Sequence, residues 1–310
     1  MAQPVTIGTR GSKLALWQAE WVRSELLARF PGMSVELAVI KTQGDKILDV
    51  PLAQVGGKGL FVKEIEEALQ DGRLDIAVHS MKDMPAEIPE GLAVGAVPAR
   101  ESPADVLISR DGERLAELAS GSRIGTSSLR RGAQLRHARP DLRIVPLRGN
   151  LDTRLRKLET EGLSAVVLAA AGVRRLGLEE RITEILDPDL MLPAVGQGAL
   201  CIEIRASDRR IAPLVSGLDH PDSHAAVAGE RSFLRRLGGG CQVPIAGHGR
   251  VDGRRFALTG LVAEVDGSAL IRHHLSGPVQ DAEALGVELA EVLLTRGADI
   301  ILKKHTSTAL

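Results

Sequence analysis

The sequence predicts an α/β protein with two doubly wound domains and a smaller α+β domain after them. Three observations carry that reading. Short apolar runs alternate with helical periods from residue 5 to residue 168, the pattern of strand–helix–strand units. Two segments rich in proline or glycine, 98–103 and 191–198, interrupt the alternation as interdomain connectors would. From about residue 219 the order changes to one helix, three hairpin-like strands and a last helix.

Composition narrows the function. Lys and Arg number 39 against 40 Asp and Glu, so no bulk basic field exists to hold nucleic acid, and any anion site must come from local clustering. Aromatic residues are 2% and tyrosine is absent, which argues against stacking platforms for single strands. The first residues show no basic-then-apolar signal pattern, and no apolar run approaches the ~20 residues of a membrane span. A cytoplasmic protein without a membrane partner is expected. The two cysteines, Cys201 and Cys241, have neither metal-ligand nor CxxC spacing, so reduced thiols and no metal are expected.

In the first domain, residues 5–8 read as a buried strand and 9–12 as a turn. Leu14, Leu16, Trp17, Trp21, Val22 and Leu26 then follow a helical period. A strand feeding a helix through a glycine turn often aims N–H groups at an anion, but GTRGS fits neither a dinucleotide nor a Walker pattern. After a strand at 35–41, residues 42–59 exceed the usual length of a structureless loop; they include Lys58, which no Ser or Thr follows. Residues 61–69 form a helix. The strand at 76–78 runs into His79, Ser80, Met81, Lys82 and Asp83. Ligands of open α/β sheets bind beyond strand C-termini, so this run is a site candidate. A solvated ion pair for Lys82 and Asp83, and a structural role for His79, are the alternatives.

In the second domain the strand at 123–125 enters Thr126, Ser127 and Ser128, natural caps for a helix over 129–137. Its first turn carries Arg130 and Arg131, which the helix dipole disfavours by ~0.3–1 kcal/mol each, so an anion is expected there. Arg148 and Arg154 follow the strand read at 142–147, and Arg174 and Arg175 follow the strand at 165–168. Strand, turn and arginine thus recur at corresponding places, and arginine's planar fork suits carboxylates.

After a strand at 199–205 and a helix at about 208–218, the last domain reads as a helix over 225–237, strands at 245–251, 256–265 and 269–275, and a helix over 282–295. Between the first helix and strand stands Gly238-Gly239-Gly240-Cys241-Gln242-Val243-Pro244. Three glycines remove every side chain before Cys241, more than a buried cysteine needs. Cys201, inside a strand, reads as structural. Together these features suggest a small organic polyanion held by arginines, with Cys241 as nucleophile or permanent tether.

The strings VTIGTRGSKLALWQA, GGKGLFVKEIE, DIAVHSMKDMP, GTSSLRR, LRGNLDTRLRKL, LPAVGQGAL and GGGCQVPI run in order through nearly the whole chain. In them the sequence closely resembles the hydroxymethylbilane synthases, or porphobilinogen deaminases. No motif residue departs from that pattern, which is looser only at Gly132-Ala133. The resemblance implies that the first two domains are similar to the two-lobed periplasmic binding protein fold. It implies domain 1 over 1–98 and 199–218, domain 2 over 99–198 and domain 3 over 219–310. It also implies a monomeric transferase of tetrapyrrole (haem- or chlorophyll-type) biosynthesis. Four porphobilinogens are joined head to tail with release of ammonia, primed on a covalent dipyrromethane cofactor, and hydroxymethylbilane is freed by hydrolysis. Position by position, Asp83 matches the catalytic acid and Cys241 the thioether attachment point. Lys82, Asp83, Thr126, Ser127, Ser128, Arg130 and Arg131 match cofactor-binding positions. Arg10, Ser12, Lys58, Arg148, Arg154 and Arg175 match positions that hold porphobilinogen and the growing polypyrrole, Lys58 lying in a lid loop. The rival readings are a non-catalytic two-lobed anion-binding protein and a transferase with a transient cysteine adduct.

Overall fold

A computed structural model describes residues 4–46, 59–239 and 243–306. Lys58 and Cys241 lie outside the described residues. Packing divides the chain into two compact units. The described part of the first comprises 4–46, 59–101 and 199–224; that of the second comprises 102–198, 225–239 and 243–306.

The first unit is built on a five-stranded sheet. β1 (Val5–Thr9) buries Val5 and Ile7 and pairs in parallel with β2 (Val35–Val39) and with β3 (Ile76–Ser80). The helix α1 (Lys13–Arg29) starts at Ser12, whose Oγ accepts from Ala15 N at 3.2 Å, and lays Ala19, Val22 and Leu26 on the sheet. A second helix, α2 (Lys63–Gln70), covers the other face with Ile65, Ala68 and Leu69. Gly8 lies on that face, where a Cβ would collide with Leu74. The sheet is completed by β4 (Leu92–Ala96) and by a strand from late in the chain.

The second unit repeats the plan. β5 (Asp105–Ser109), β6 (Arg123–Gly125), β7 (Arg143–Val145), β8 (Ala165–Ala169) and β9 (Glu184–Ile185) form a sheet of order β7-β6-β8-β5-β9. Helices α3 (Leu129–Ala138) and α4 (Leu151–Thr160) follow β6 and β7, and α5 (Ala170–Arg175) follows β8. The late strand of the first sheet is β10 (Leu200–Arg205), giving the order β2-β1-β3-β10-β4. In each sheet the fourth strand runs antiparallel to the third, and in each it adjoins a connector: β5 leaves the first and β10 returns from the second. The strand 200–205 thus joins the first sheet, although the chain between β4 and β10 builds the second.

The short helix α6 (Ala212–Ser216) replaces the longer one expected at 208–218, because Asp208 Oδ1 accepts from Arg210 N and Ile211 N and holds a turn there. The next helix, α7 (Pro221–Arg236), begins four residues earlier than expected, proline being tolerated in a first helical turn. β11 (Ile245–Asp252), β12 (Arg255–Ala263) and β13 (Leu270–Pro278) form an antiparallel sheet. Its Phe256 and Leu258 pack with Phe233 of α7 and with Leu289 and Leu293 of α8 (Ala282–Leu293). Gly297, at φ +102°, then turns the chain into α9 (Asp299–Thr306), which the sequence reading missed. The class is thus two α/β sheet domains plus a small α+β one. No helix among the described residues is long and apolar enough to cross a membrane.

Candidate cofactor and substrate site

At the C-terminal end of β3 the chain makes a single 3₁₀ turn, Met81–Asp83. Met81 and Met84 are buried on either side, and Met81 N donates to Ala199 O at 3.0 Å, so the turn is pinned while Lys82 and Asp83 are exposed. Asp83 lines a pocket of about 60 Å³ with Arg10, Ser12, Gln18, His79 and Ser80. Three expected site residues, Arg10, Ser12 and Asp83, therefore meet in the first unit. The Arg10 guanidinium stacks over Phe61, 4.2 Å from the ring centroid, which fixes its plane. His79 is buried beside Glu203, its Nε2 3.2 Å from Glu203 Oε2.

In the second unit the turns after β6 and β7 adjoin, since Ser127 Oγ accepts from Leu147 N at 2.9 Å. Thr126 Oγ1 accepts from Ser128 N at 3.2 Å, and Ser128 Oγ caps α3 by accepting from Arg131 N at 3.4 Å. All three hydroxyls accept, and none donates to a described partner, so each keeps a proton to give. Arg148, next to Leu147, is half-buried, and its Nη1 is buried without a hydrogen-bond partner. Arg154 Nε donates to Gly149 O at 2.8 Å and Arg175 Nη2 to Gly198 O at 2.7 Å, which fixes both side chains by backbone contacts.

Arg130 and Arg131 are neither solvated nor open. Both are buried, and the anion expected at this helix start is the chain's own Asp105. Arg130 Nη1 donates to Asp105 Oδ2 at 2.6 Å and to Leu192 O at 2.7 Å. Arg131 Nε and Nη2 donate to Asp105 Oδ1 at 2.9 and 2.7 Å, and its Nη1 donates to Val167 O. Gln197 Nε2, on the second connector, gives Oδ1 a further bond at 2.9 Å. Burial alone pushes the Asp105 carboxyl up; the two guanidiniums and the Gln197 amide more than reverse this and hold it well below the usual carboxylate range. Two cations against one carboxylate leave the start of α3 with one positive charge in excess.

The family model described as "Porphobilinogen deaminase, dipyromethane cofactor binding domain" matches residues 5–213, and "Porphobilinogen deaminase, C-terminal domain" matches residues 224–295. The chain belongs to the porphobilinogen deaminase family. A porphobilinogen deaminase from Syntrophotalea carbinolica is 60% identical over 296 residues, covering 96% of this chain and 94% of its own. One from Pelobacter propionicus is 58% identical over 298 residues, covering 96% of each. Among solved structures, an ancestral cationic amino acid solute binding protein aligns with 69% of this chain and 87% of its own, at 15% identity and a TM-score of 0.44.

The residues described fit the polycarboxylate cofactor that gives the first family domain its description. Three hydroxyls with protons to spare are donors that still lack acceptors, and the orphaned Arg148 nitrogen is one more donor for a further carboxylate. Sequence reasoning missed the acidic half of this architecture. Asp105 heads the apolar run Val106–Ile108, and Glu203 interrupts the apolar strand Leu200–Ile204; a charge inside a buried strand was the available signal in both.

Proposed function

We propose that the chain condenses four porphobilinogens head to tail, with loss of ammonia, on a dipyrromethane held through Cys241, and then releases hydroxymethylbilane by hydrolysis. It is a transferase of tetrapyrrole biosynthesis. The observation that carries the reading is the unpartnered Nη1 of Arg148 beside the hydroxyls at the start of α3, inside the cofactor-domain match. A thioether requires a reduced thiol, which supports a cytoplasmic setting, and a single chain supplies every residue assigned here.

Thr126, Ser127 and Ser128 would hold cofactor carboxylates and Lys82 would add a further contact, while Arg130 and Arg131, buried on Asp105, would supply the excess positive charge behind the start of α3. Arg10, Ser12, Arg148, Arg154 and Arg175 would hold those of the substrate and the growing chain, with Lys58 as a further contact. The cofactor, when bound, supplies the pyrrole end on which the product is built. Asp83 acts on the substrate. When the aminomethyl carbon of porphobilinogen loses ammonia, positive charge spreads to its pyrrole N–H, and a carboxylate fixed nearby lowers the barrier.

Intact mass tests this. Wild type carries two pyrrole units beyond the mass of its sequence, and porphobilinogen is consumed with release of ammonia. A resting protein of unmodified mass that leaves porphobilinogen intact overturns the reading.

A further inference from the structure

Behind the pocket of Arg10 and Asp83, three ionisable side chains from three elements meet in the core of the first unit: Glu66 of α2, His79 of β3 and Glu203 of β10. They are 7%, 5% and 0% exposed. His79 Nε2 faces Glu203 Oε2 at 3.2 Å, while Glu66 Oε1 and Glu203 Oε1 are buried and have no hydrogen-bond partner. Two orphaned carboxylate oxygens in a core are costly, and apolar groups would fill the same space without that cost. Burial, then repulsion from Glu203, raises the Glu66 carboxyl from 4.5 to about 7, with His79 opposing. Glu66 thus exchanges its proton near neutrality, where proton transfer at working pH is most effective. His79 also lines the pocket that holds Asp83, and its Nδ1 has no partner among the described residues.

Other charges face the cluster. Arg10 stacks on Phe61, and Asp83 stands in the pocket. On β10, Arg205 is bound to Asp75 and Asp208. On α2, Lys63 and Glu67 are exposed, and Glu64 accepts from Gln43 N.

We propose that His79, positioned by Glu203 and Glu66, receives the proton that leaves the attacking pyrrole carbon when two porphobilinogen-derived rings are joined. This rests on the activity proposed above. In each joining, the carbon–nitrogen bond of one porphobilinogen breaks and ammonia leaves with the electron pair. The free α-carbon of the preceding ring then forms the new carbon–carbon bond. That carbon must shed its hydrogen as a proton, its C–H pair returning to the ring. His79 takes the proton on its open nitrogen and passes it through the cluster to solvent or to the departing ammonia, so nothing is oxidised or reduced.

Three measurements test the proposal on the full-length protein. His79→Gln should keep the cofactor mass, lose about 10²-fold in turnover, and acquire a primary isotope effect with porphobilinogen deuterated at its free α-carbon. Glu66→Gln copies the protonated carboxyl and so should fold. It should lose the rise in rate through pH 7 that deprotonation of Glu66 gives wild type. Independently of activity, wild type should unfold at lower urea at pH 8 than at pH 5, because the folded state binds the Glu66 proton more tightly, and Glu66→Gln should not. If His79→Gln fails to fold, the two Glu66→Gln readouts decide. An unchanged pH profile in Glu66→Gln, or slow turnover without an isotope effect in His79→Gln, overturns the relay. Wild type without cofactor or product overturns the proposed function instead.

Discussion

Arg130 Nη1 lies 2.6 Å from Asp105 Oδ2, with the arginine 6% exposed and the aspartate fully buried. The same carboxylate receives Arg131 and Gln197, so a helix start, a strand start and the second connector share one buried charge. Removing that charge leaves two guanidiniums buried and uncompensated. Asp105→Asn should lower unfolding stability by ~3–5 kcal/mol at pH 7, read by urea unfolding. The Asp105 pKa is depressed in the folded state. Its stabilisation is therefore complete above the unfolded aspartate pKa and fades as pH falls through the folded one, so the gap between wild type and Asp105→Asn should narrow in acid. A gap independent of pH would assign the loss to packing.

Arg148 should behave in the opposite way. Its Nη1 is buried with no partner, which costs the folded protein ~1–3 kcal/mol that a ligand carboxylate would recover. Arg148→Met should therefore raise the melting temperature of the protein and lower turnover by about 10-fold or more, the worth of a lost charge-assisted bond. A variant that is both less stable and fully active would remove Arg148 from the site.

The two cysteines should separate cleanly. Cys201 is fully buried in β10, opposite His79 in the ladder, where a small apolar side chain fills space. Cys201→Ala should keep the cofactor mass at a modest loss of stability, and Cys241→Ala should fold without it. Cofactor mass on Cys241→Ala would sink the tether assignment.

What was legible in the sequence divides along the range of the interactions involved. The αβ alternation, the cap at Ser128 and the run bearing Asp83 after β3 are local, and periodicity and residue type expose them. The place of β10 between β3 and β4 is a pairing across more than a hundred residues, and no local pattern in the sequence points to it. Arg130 and Arg131 show the same boundary. The helix dipole correctly demanded an anion at the start of α3, but local reasoning could not choose between a ligand and Asp105, which approaches through the sheet. The Glu66–His79–Glu203 cluster escaped for the same reason, its members lying on three separate elements.

Asp83 should matter to chemistry and not to stability. It is exposed on a three-residue turn held by buried Met81 and Met84, so its charge contributes nothing that the fold needs. It lines the pocket with Arg10 and Ser12, where the pyrrole N–H of porphobilinogen would develop positive charge as ammonia leaves. Asp83→Asn keeps shape and loses charge. Its unfolding midpoint should match wild type and its cofactor mass should remain, while turnover falls by about 10²–10³, the usual loss when one aimed electrostatic partner is removed. Asp83→Glu keeps the charge at a longer reach and should lose less. Because the ground state of the substrate ring is neutral, the loss should fall on kcat more than on KM. Turnover of Asp83→Asn within a few-fold of wild type would mean that the carboxylate serves only as a solvated surface charge.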